Sequence, residues 1–442
     1  MDPSGLLYII LLVTCVIGVA HTLERFGRLP PTAVYPLLVV LSELFKKASY
    51  ILLADELGRL ISYVVVAPLI YVGISLVRSH EAPLVWLESR ASLSFFMCWM
   101  LLLVFSTLAG SQTASLDGVV LTLGALLLYL LPTRQDAHDY GRVKQVYLAL
   151  LAVSAAVATI GLVGLDPLWR LYAQAAAPYT IGARYTSDSG YAGSLFASPT
   201  DFGQFLLAAM AIACGPDIQR RQVASRTSVR RNATVCTLGV LAAAASGSRF
   251  VLVGAILFST LIIFYRRKLP VTHALVVLLS CAIGIEFMAS RLLANEYVVQ
   301  YAYQQESTLL RRATNVGTLN SRIGAIEAVT QAARQHPVLG LGAVDYTRAE
   351  DYDDRHHSIV RSIMQAGLIG ALCLIVGTLI RLKQLADNGG AGRSAVAYVV
   401  AAMVVSLGGP TFVTPWFFLV LAGCGLSLDS AKLEPLRAYP SR

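Results

Sequence analysis

The chain has 442 residues, of which 56% are apolar and only 14% charged, with a mean hydropathy of +0.64; soluble domains carry about a quarter of their residues charged. That balance excludes a soluble globular enzyme and predicts an all-α, polytopic integral membrane protein. The formal charge of +9 then reports orientation and contact with anionic lipid headgroups, and because the basic residues are divided among loops rather than gathered in one stripe, nucleic acid is a poor partner.

The first apolar run, 5–22, has no basic residue before it and no small-residue cleavage site after it, so it reads as a retained helix rather than a removed leader. Runs near or above the roughly 17 residues that cross a bilayer follow at 59–77, 92–110, 115–132, 144–164, 248–265, 270–288 and 358–380. Shorter candidates lie at 32–45, 202–215, 233–246, 394–409 and 411–427. Together they predict about 12 or 13 transmembrane helices. The cysteines, at 15, 98, 214, 236, 281, 373 and 424, all fall in apolar runs and read as small buried hydrophobes, not as a disulfide set or a metal site.

Basic loops stay cytoplasmic, which fixes the orientation. One such loop carries Arg220, Arg221, Arg226, Arg230 and Arg231, a second is Arg266 to Lys268, and a third holds Arg381, Lys383 and Arg393. They share a side only where 233–246 and 250–265 form a hairpin whose tip, Ser246-Gly247-Ser248-Arg249, points outward. The same count puts the loops Leu165 to Thr200 and Ala289 to His357 outside. With Arg25 and Arg28 inside, Met1 is external and there are about 13 spans; about 12 remain if 33–45 is re-entrant. The chain thus divides into helices and short loops (1–288), a large outer loop (289–357), and C-terminal helices with a tail (358–442). Only Ala386 to Arg393 reads as a flexible turn.

The outer loop is the longest polar stretch of the chain. Within it Ser321 to Gln335 has the spacing of an amphipathic surface helix, with Ile323, Ile326, Val329 and Ala333 on one stripe and His336-Pro337 as its stop. Arg249, between two apolar runs, is either a snorkelling interfacial cation or an anion site, since its rigid fork matches phosphate. Arg184 lies in a Gly- and Ser-rich loop, which either connects or lets backbone amides approach a ligand. Arg322 opens the surface helix, where the macrodipole disfavours a cation; a bound anion or a nearby carboxylate such as Glu327 resolves that conflict. His356 and His357, at the junction with the next apolar run, suit proton transfer, metal binding or a plain helix start. Glu43 and Glu286 sit in or beside apolar runs, where an ionisable group takes a functional label by default.

Four stretches occur in order: Phe196-Ala197-Ser198-Pro199 after Arg184; Ser246-Gly247-Ser248-Arg249; Arg322 ahead of His336-Pro337-Val338-Leu339-Gly340-Leu341-Gly342; and His357-Ser358 ahead of Gly367-Leu368-Ile369-Gly370. Over roughly residues 180–375 the chain resembles the bacterial O-antigen ligase and O-antigen polymerase superfamily. The resemblance implies a GT-C-like membrane glycosyltransferase of the bacterial inner membrane, with a flat helix in its periplasmic loop. Such enzymes take a glycan from an undecaprenyl-diphosphate carrier and need no metal or cofactor. Carried over, Arg184, Arg249 and Arg322 bind the diphosphate, Arg249 also acting in catalysis. His357, or His356 in its place, is the general base at the acceptor hydroxyl. The family carries its arginine closer to its Phe-x-x-Pro-Asn stretch, and here Thr200 stands where Asn is common.

Guanidiniums aimed at the departing phosphates stabilise the charge that develops on them, and direct attack inverts the anomeric centre. The expected function is polymerisation of lipid-linked repeat units, with a glycan or glycolipid acceptor, membrane lipid and polysaccharide-export proteins as partners. The alternative is a ligase that moves the glycan to lipid A-core or another terminal acceptor. A transporter or flippase is the reading from a different class; it predicts paired halves and broken mid-membrane helices, and no duplication is visible in the sequence.

Overall fold

The computed structural model of the protein describes residues 3–57, 64, 66–78, 82–109, 116–130, 137–162, 167–176, 194–196, 199–215, 226–246, 248–266, 334, 336–342, 358–387, 390–406 and 414–422. Among the described residues the chain is helical, with no strand. Three stretches, Ala91–Ala109, Gly141–Ile160 and Gln365–Ala386, are long and apolar enough to cross a membrane, and shorter apolar helices accompany them. In chain order the helices are α1 (Pro3–Arg25), α2 (Pro31–Leu57), α3 (Val66–Arg78), α4 (Ala82–Ala109), α5 (Leu116–Leu127), α6 (Ala137–Leu162), α7 (Pro167–Ala176), α8 (Pro199–Cys214), α9 (Arg226–Ala245), α10 (Arg249–Arg266), α11 (Ser358–Asp387), α12 (Gly390–Val405) and α13 (Pro415–Ala422).

The core is built around α8. Pro199 opens this helix where an N–H is not needed, and Asp201 in the first turn suits the positive end of the macrodipole. From Phe205 to Ala213 every side chain is buried, as expected of a helix apolar on all sides. It is enclosed by α6, α9, α10, α12 and α13. Small residues let the axes approach, because interfaces between membrane helices are held by close packing rather than by a hydrophobic drive. Gly203 of α8 lies against Val251 of α10, Gly239 of α9 against Met210 of α8, and Gly254 of α10 against Val405 of α12.

Helix α13 is a short apolar wedge, buried from Trp416 to Ala422. Thr414 caps it, its carbonyl accepting from Phe417 N at 3.1 Å. The Trp416 ring meets Phe205 edge-on at 5.2 Å and Tyr35 at 5.6 Å, and Phe418 meets Phe96 at 5.5 Å. Arg381 closes the other end, donating from Nε to Leu421 O at 2.8 Å and from its terminal nitrogen to Ala422 O at 3.0 Å.

The pairings fix which helix ends lie together. Arg142 donates to Arg28 O and Lys144 to Gly215 O, so the α1–α2 turn, the start of α6 and the end of α8 share one end. At the opposite end the contacts of Gly203 and Gly254 gather the starts of α8 and α10 and the finish of α12. Helices α11 and α12 pack against each other.

Several sequence-based boundaries shift. Helix α9 already begins at Arg226, so Arg226, Arg230 and Arg231 stand on a helix rather than in a basic loop. Long cationic side chains keep their heads in a polar zone while their stems line a helix, so charge does not end one. Arg381 is buried within α11 as the cap of α13, not a loop residue. The expected flexible turn from Ala386 to Arg393 is mostly helical, α11 ending at Asp387 and α12 beginning at Gly390. The short candidate at 32–45 is part of the 27-residue α2, and α7 forms inside the Leu165–Thr200 stretch. The candidate span 270–288 lies outside the described residues.

Candidate functional site

Arg184, Arg322, His356 and His357 lie outside the described residues, as does the expected surface helix 321–335 except for Arg334, which is helical. Glu286 is outside as well. Arg249 is described by its backbone, and there the local structure is clear. Ser246 is buried, its hydroxyl donating to Ala243 O at 2.7 Å and accepting from Ser248 N at 3.3 Å. Ser248 O receives the first bond of α10 from Leu252 N at 3.0 Å. Ser248 is therefore the N-cap and Arg249 the first residue of the helix. The two helices on either side of this turn pack against each other. A cation at a helix start opposes the macrodipole, and the first-turn N–H groups there favour an anion.

Close to that turn lies the start of α8, preceded in sequence by Ser194, Leu195 and Phe196, all buried. Phe196 packs on Phe205 at 4.9 Å. Ser194 adopts a left-handed backbone (φ 54°). Its carbonyl accepts from Lys47 Nζ at 2.6 Å, and its hydroxyl donates to Ser154 O at 2.7 Å. The strand of chain that follows the Arg184 loop is thereby tied into α2 and α6. Around this tie sits a polar group absent from the sequence reading except for Glu43. The Lys46 ammonium lies in the field of Glu43, Tyr172, Asp201 and Tyr50, the Tyr50 and Tyr172 rings meet edge-on at 5.9 Å, and Lys47 Nζ is 5.9 Å from the centre of the Tyr172 ring. Burial pushes the Tyr172 phenol up to about 12, so it remains a hydrogen-bond donor at any physiological pH.

The third piece is the segment His336–Gly342, which lies on a break in α11. Gly367 has φ 70° and ψ −178°, where the i to i−4 ladder is interrupted and only glycine is at ease. Two groups beside the break find partners in the segment: Leu368 N donates to Pro337 O at 3.0 Å, and Gln365 O accepts from Gly342 N at 3.0 Å. Ser106, near the end of α4, shares its hydroxyl proton between Leu102 O of its own helix, at 2.6 Å, and Leu339 O of the segment. Gly342 (φ 80°) fits against Thr107 so closely that a Cβ would stand 2.6 Å from its Cα.

Two stretches singled out in the sequence therefore lie at one end of the bundle, the residues leading into Pro199 and the Ser246–Arg249 turn, joined by the contact of Gly203 with Val251, while the Pro337–Gly342 segment is seated on α4 and on the helix that begins right after His357. Sequence reasoning missed Lys47, Ser194 and Gln365; Lys47 next to Lys46 in a run with Glu43 was the one available signal. Against family models, curated proteins and solved structures the chain finds no match.

Proposed function

We propose that the protein is a multi-pass glycosyltransferase of a bacterial inner membrane that polymerises undecaprenyl-diphosphate-linked repeat units at its periplasmic face. The observation that carries the reading is the position of Arg249 as first residue of α10, behind a serine N-cap, at the end of the bundle where α8 also begins. A cation held at a helix start is matched by a phosphate, which takes both the guanidinium and the first-turn N–H groups. The opposite end carries Arg28, Arg142 and Lys144, and basic ends face the cytoplasm, so the Arg249 end faces outward. There a polyprenyl carrier keeps its tail in the bilayer while its diphosphate reaches the arginines.

In this scheme Arg184, Arg249 and Arg322 hold the diphosphate and stabilise the charge it gains as the anomeric carbon–oxygen bond breaks. His357 takes the proton of the acceptor hydroxyl, His356 being the neighbour able to substitute, and direct attack inverts the anomeric centre. No residue is assigned to a metal.

The test is transfer by purified protein in nanodiscs, supplied with polyprenyl-diphosphate-linked repeat units. Wild type is expected to give laddered lipid-linked products. Arg249→Ala and His357→Ala are each expected to lower kcat by about 100-fold or more, the usual cost of losing one charge-stabilising donor or a general base. Undiminished transfer by Arg249→Ala would sink the assignment. Donor consumption that requires a separate acceptor makes the protein a ligase, and donor binding without any turnover points to transport.

A further inference from the structure

We propose that the segment His336–Gly342 and the break at Gly367 form a fixed joint that aims the half-helix Ser358–Ala366, and that Gly342, Gly367 and Ser106 are positioning residues for the histidine that immediately precedes this half-helix. The inference rests on the reading of His357 as the base of a glycosyl transfer.

Three features distinguish the joint from an ordinary kink. The conformation of Gly367, φ 70° with ψ −178°, is essentially reserved for glycine, so the bend is written into that residue. The backbone groups beside it are bonded across to another segment, Leu368 N to Pro337 O and Gly342 N to Gln365 O, each at 3.0 Å. That segment is in turn anchored on α4, through Ser106 to Leu339 O and through the contact of Gly342 with Thr107. Below the break α11 is locked to α4 as well, Gly370 packing beside Trp99 and Gly377 against Phe96. Helix α4 therefore holds the lower half of α11 directly and aims the upper half through the loop.

The joint also connects two parts of the proposed site. The segment follows the stretch that contains Arg322, and the half-helix follows His357. A change that straightens α11 swings the start of the half-helix relative to the loop. A bend of about 20° over a half-helix of roughly 13 Å moves its start by about 4 Å, and a misplacement of even 1 Å is enough to cost about 100-fold in rate.

The experiment compares wild type with Gly367→Ala, Gly342→Ala and Ser106→Ala in nanodiscs. Spin labels are placed at Leu101→Cys on α4 and Ile359→Cys near the start of the half-helix, with the native cysteines replaced, and their separation is read by pulsed EPR. Steady-state transfer is measured with polyprenyl-diphosphate-linked repeat units as donor. The expected result for Gly367→Ala is a distance shifted by several ångströms, a donor KM within about threefold of wild type, and kcat lower by about 100-fold. Ser106→Ala, which deletes one hydrogen bond and leaves the bundle packed, is expected to lower kcat by about tenfold with KM unchanged; this variant decides the matter where the glycine variants fail to fold. An unchanged distance in Gly367→Ala overturns the joint, whatever the reaction. A shifted distance with wild-type kcat overturns the positioning role while leaving the glycosyl-transfer reading intact. A wild type that transfers nothing overturns that reading and the positioning role with it.

Discussion

Lys47 shows how a residue in an apolar helix earns its place by what it holds. Its ammonium reaches the carbonyl of Ser194, 147 positions away, and fixes a left-handed residue just ahead of α8. Replacing it with methionine keeps the stem packed and removes the donor from a buried carbonyl, which costs about 1–3 kcal/mol; Lys47→Arg, which restores a cation, is expected to recover part of that loss. Thermal unfolding of the purified variants in detergent checks this, and a methionine variant as stable as wild type would mean that Ser194 O finds another donor. Nothing in the sequence marks such a bond, because its acceptor is a backbone atom and its partner is remote. Arg249, by contrast, was legible from a charge standing between two apolar runs, and it is the first residue of α10. Of Arg184, Arg322, His356 and His357 only the order along the chain was legible.

Among the elements, apolar runs located most helices, since a membrane-length run of Leu, Val and Ala has few other ways to satisfy its backbone. Their limits were less legible. Arg226 and Gly390 both begin helices where charge and glycine suggested loops, because a basic side chain extends beyond the helix it starts from. The break in α11 was invisible for another reason: Gly367-Leu368-Ile369-Gly370 reads as uninterrupted apolar sequence, and the groups that fill the break come from a separate segment. The antiparallel pairing of α4 with α11 carries its own test. Cys98 and Cys373 are in side-chain hydrogen-bond contact, so mild oxidation with copper phenanthroline in membranes is expected to join them within one chain, a link absent from Cys98→Ala. Peptide maps in which both thiols stay free after oxidation would mean that these helix faces do not meet.

At the scale of the whole molecule, Arg28, Arg142 and Lys144 gather at one end of the bundle, and the uneven distribution of Lys and Arg along the sequence is a global signal that survives errors in single boundaries. The precise number of crossings was not legible, because short helices such as α13, eight residues long, fall below spanning length yet are fully enclosed. The proposed orientation predicts that single cysteines introduced at Arg28 and at Ser248, in a cysteine-free background, react from opposite sides of intact cells. An impermeant maleimide is expected to modify Ser248→Cys from outside and to reach Arg28→Cys only after the membrane is opened; equal labelling of the two would discard the orientation. The enclosure of α8 bears finally on the order of synthesis. Chains emerge from the ribosome N-terminus first, so α8 meets α6, α9 and α10 early, whereas α12 and α13 arrive only after the long intervening loop has been made. In the interval one flank of α8 faces lipid, which its all-round apolar surface tolerates without aggregation. The late helices then act as the closing staves of the bundle, and a chain cut short before Gly390 would be inserted but left open along α8.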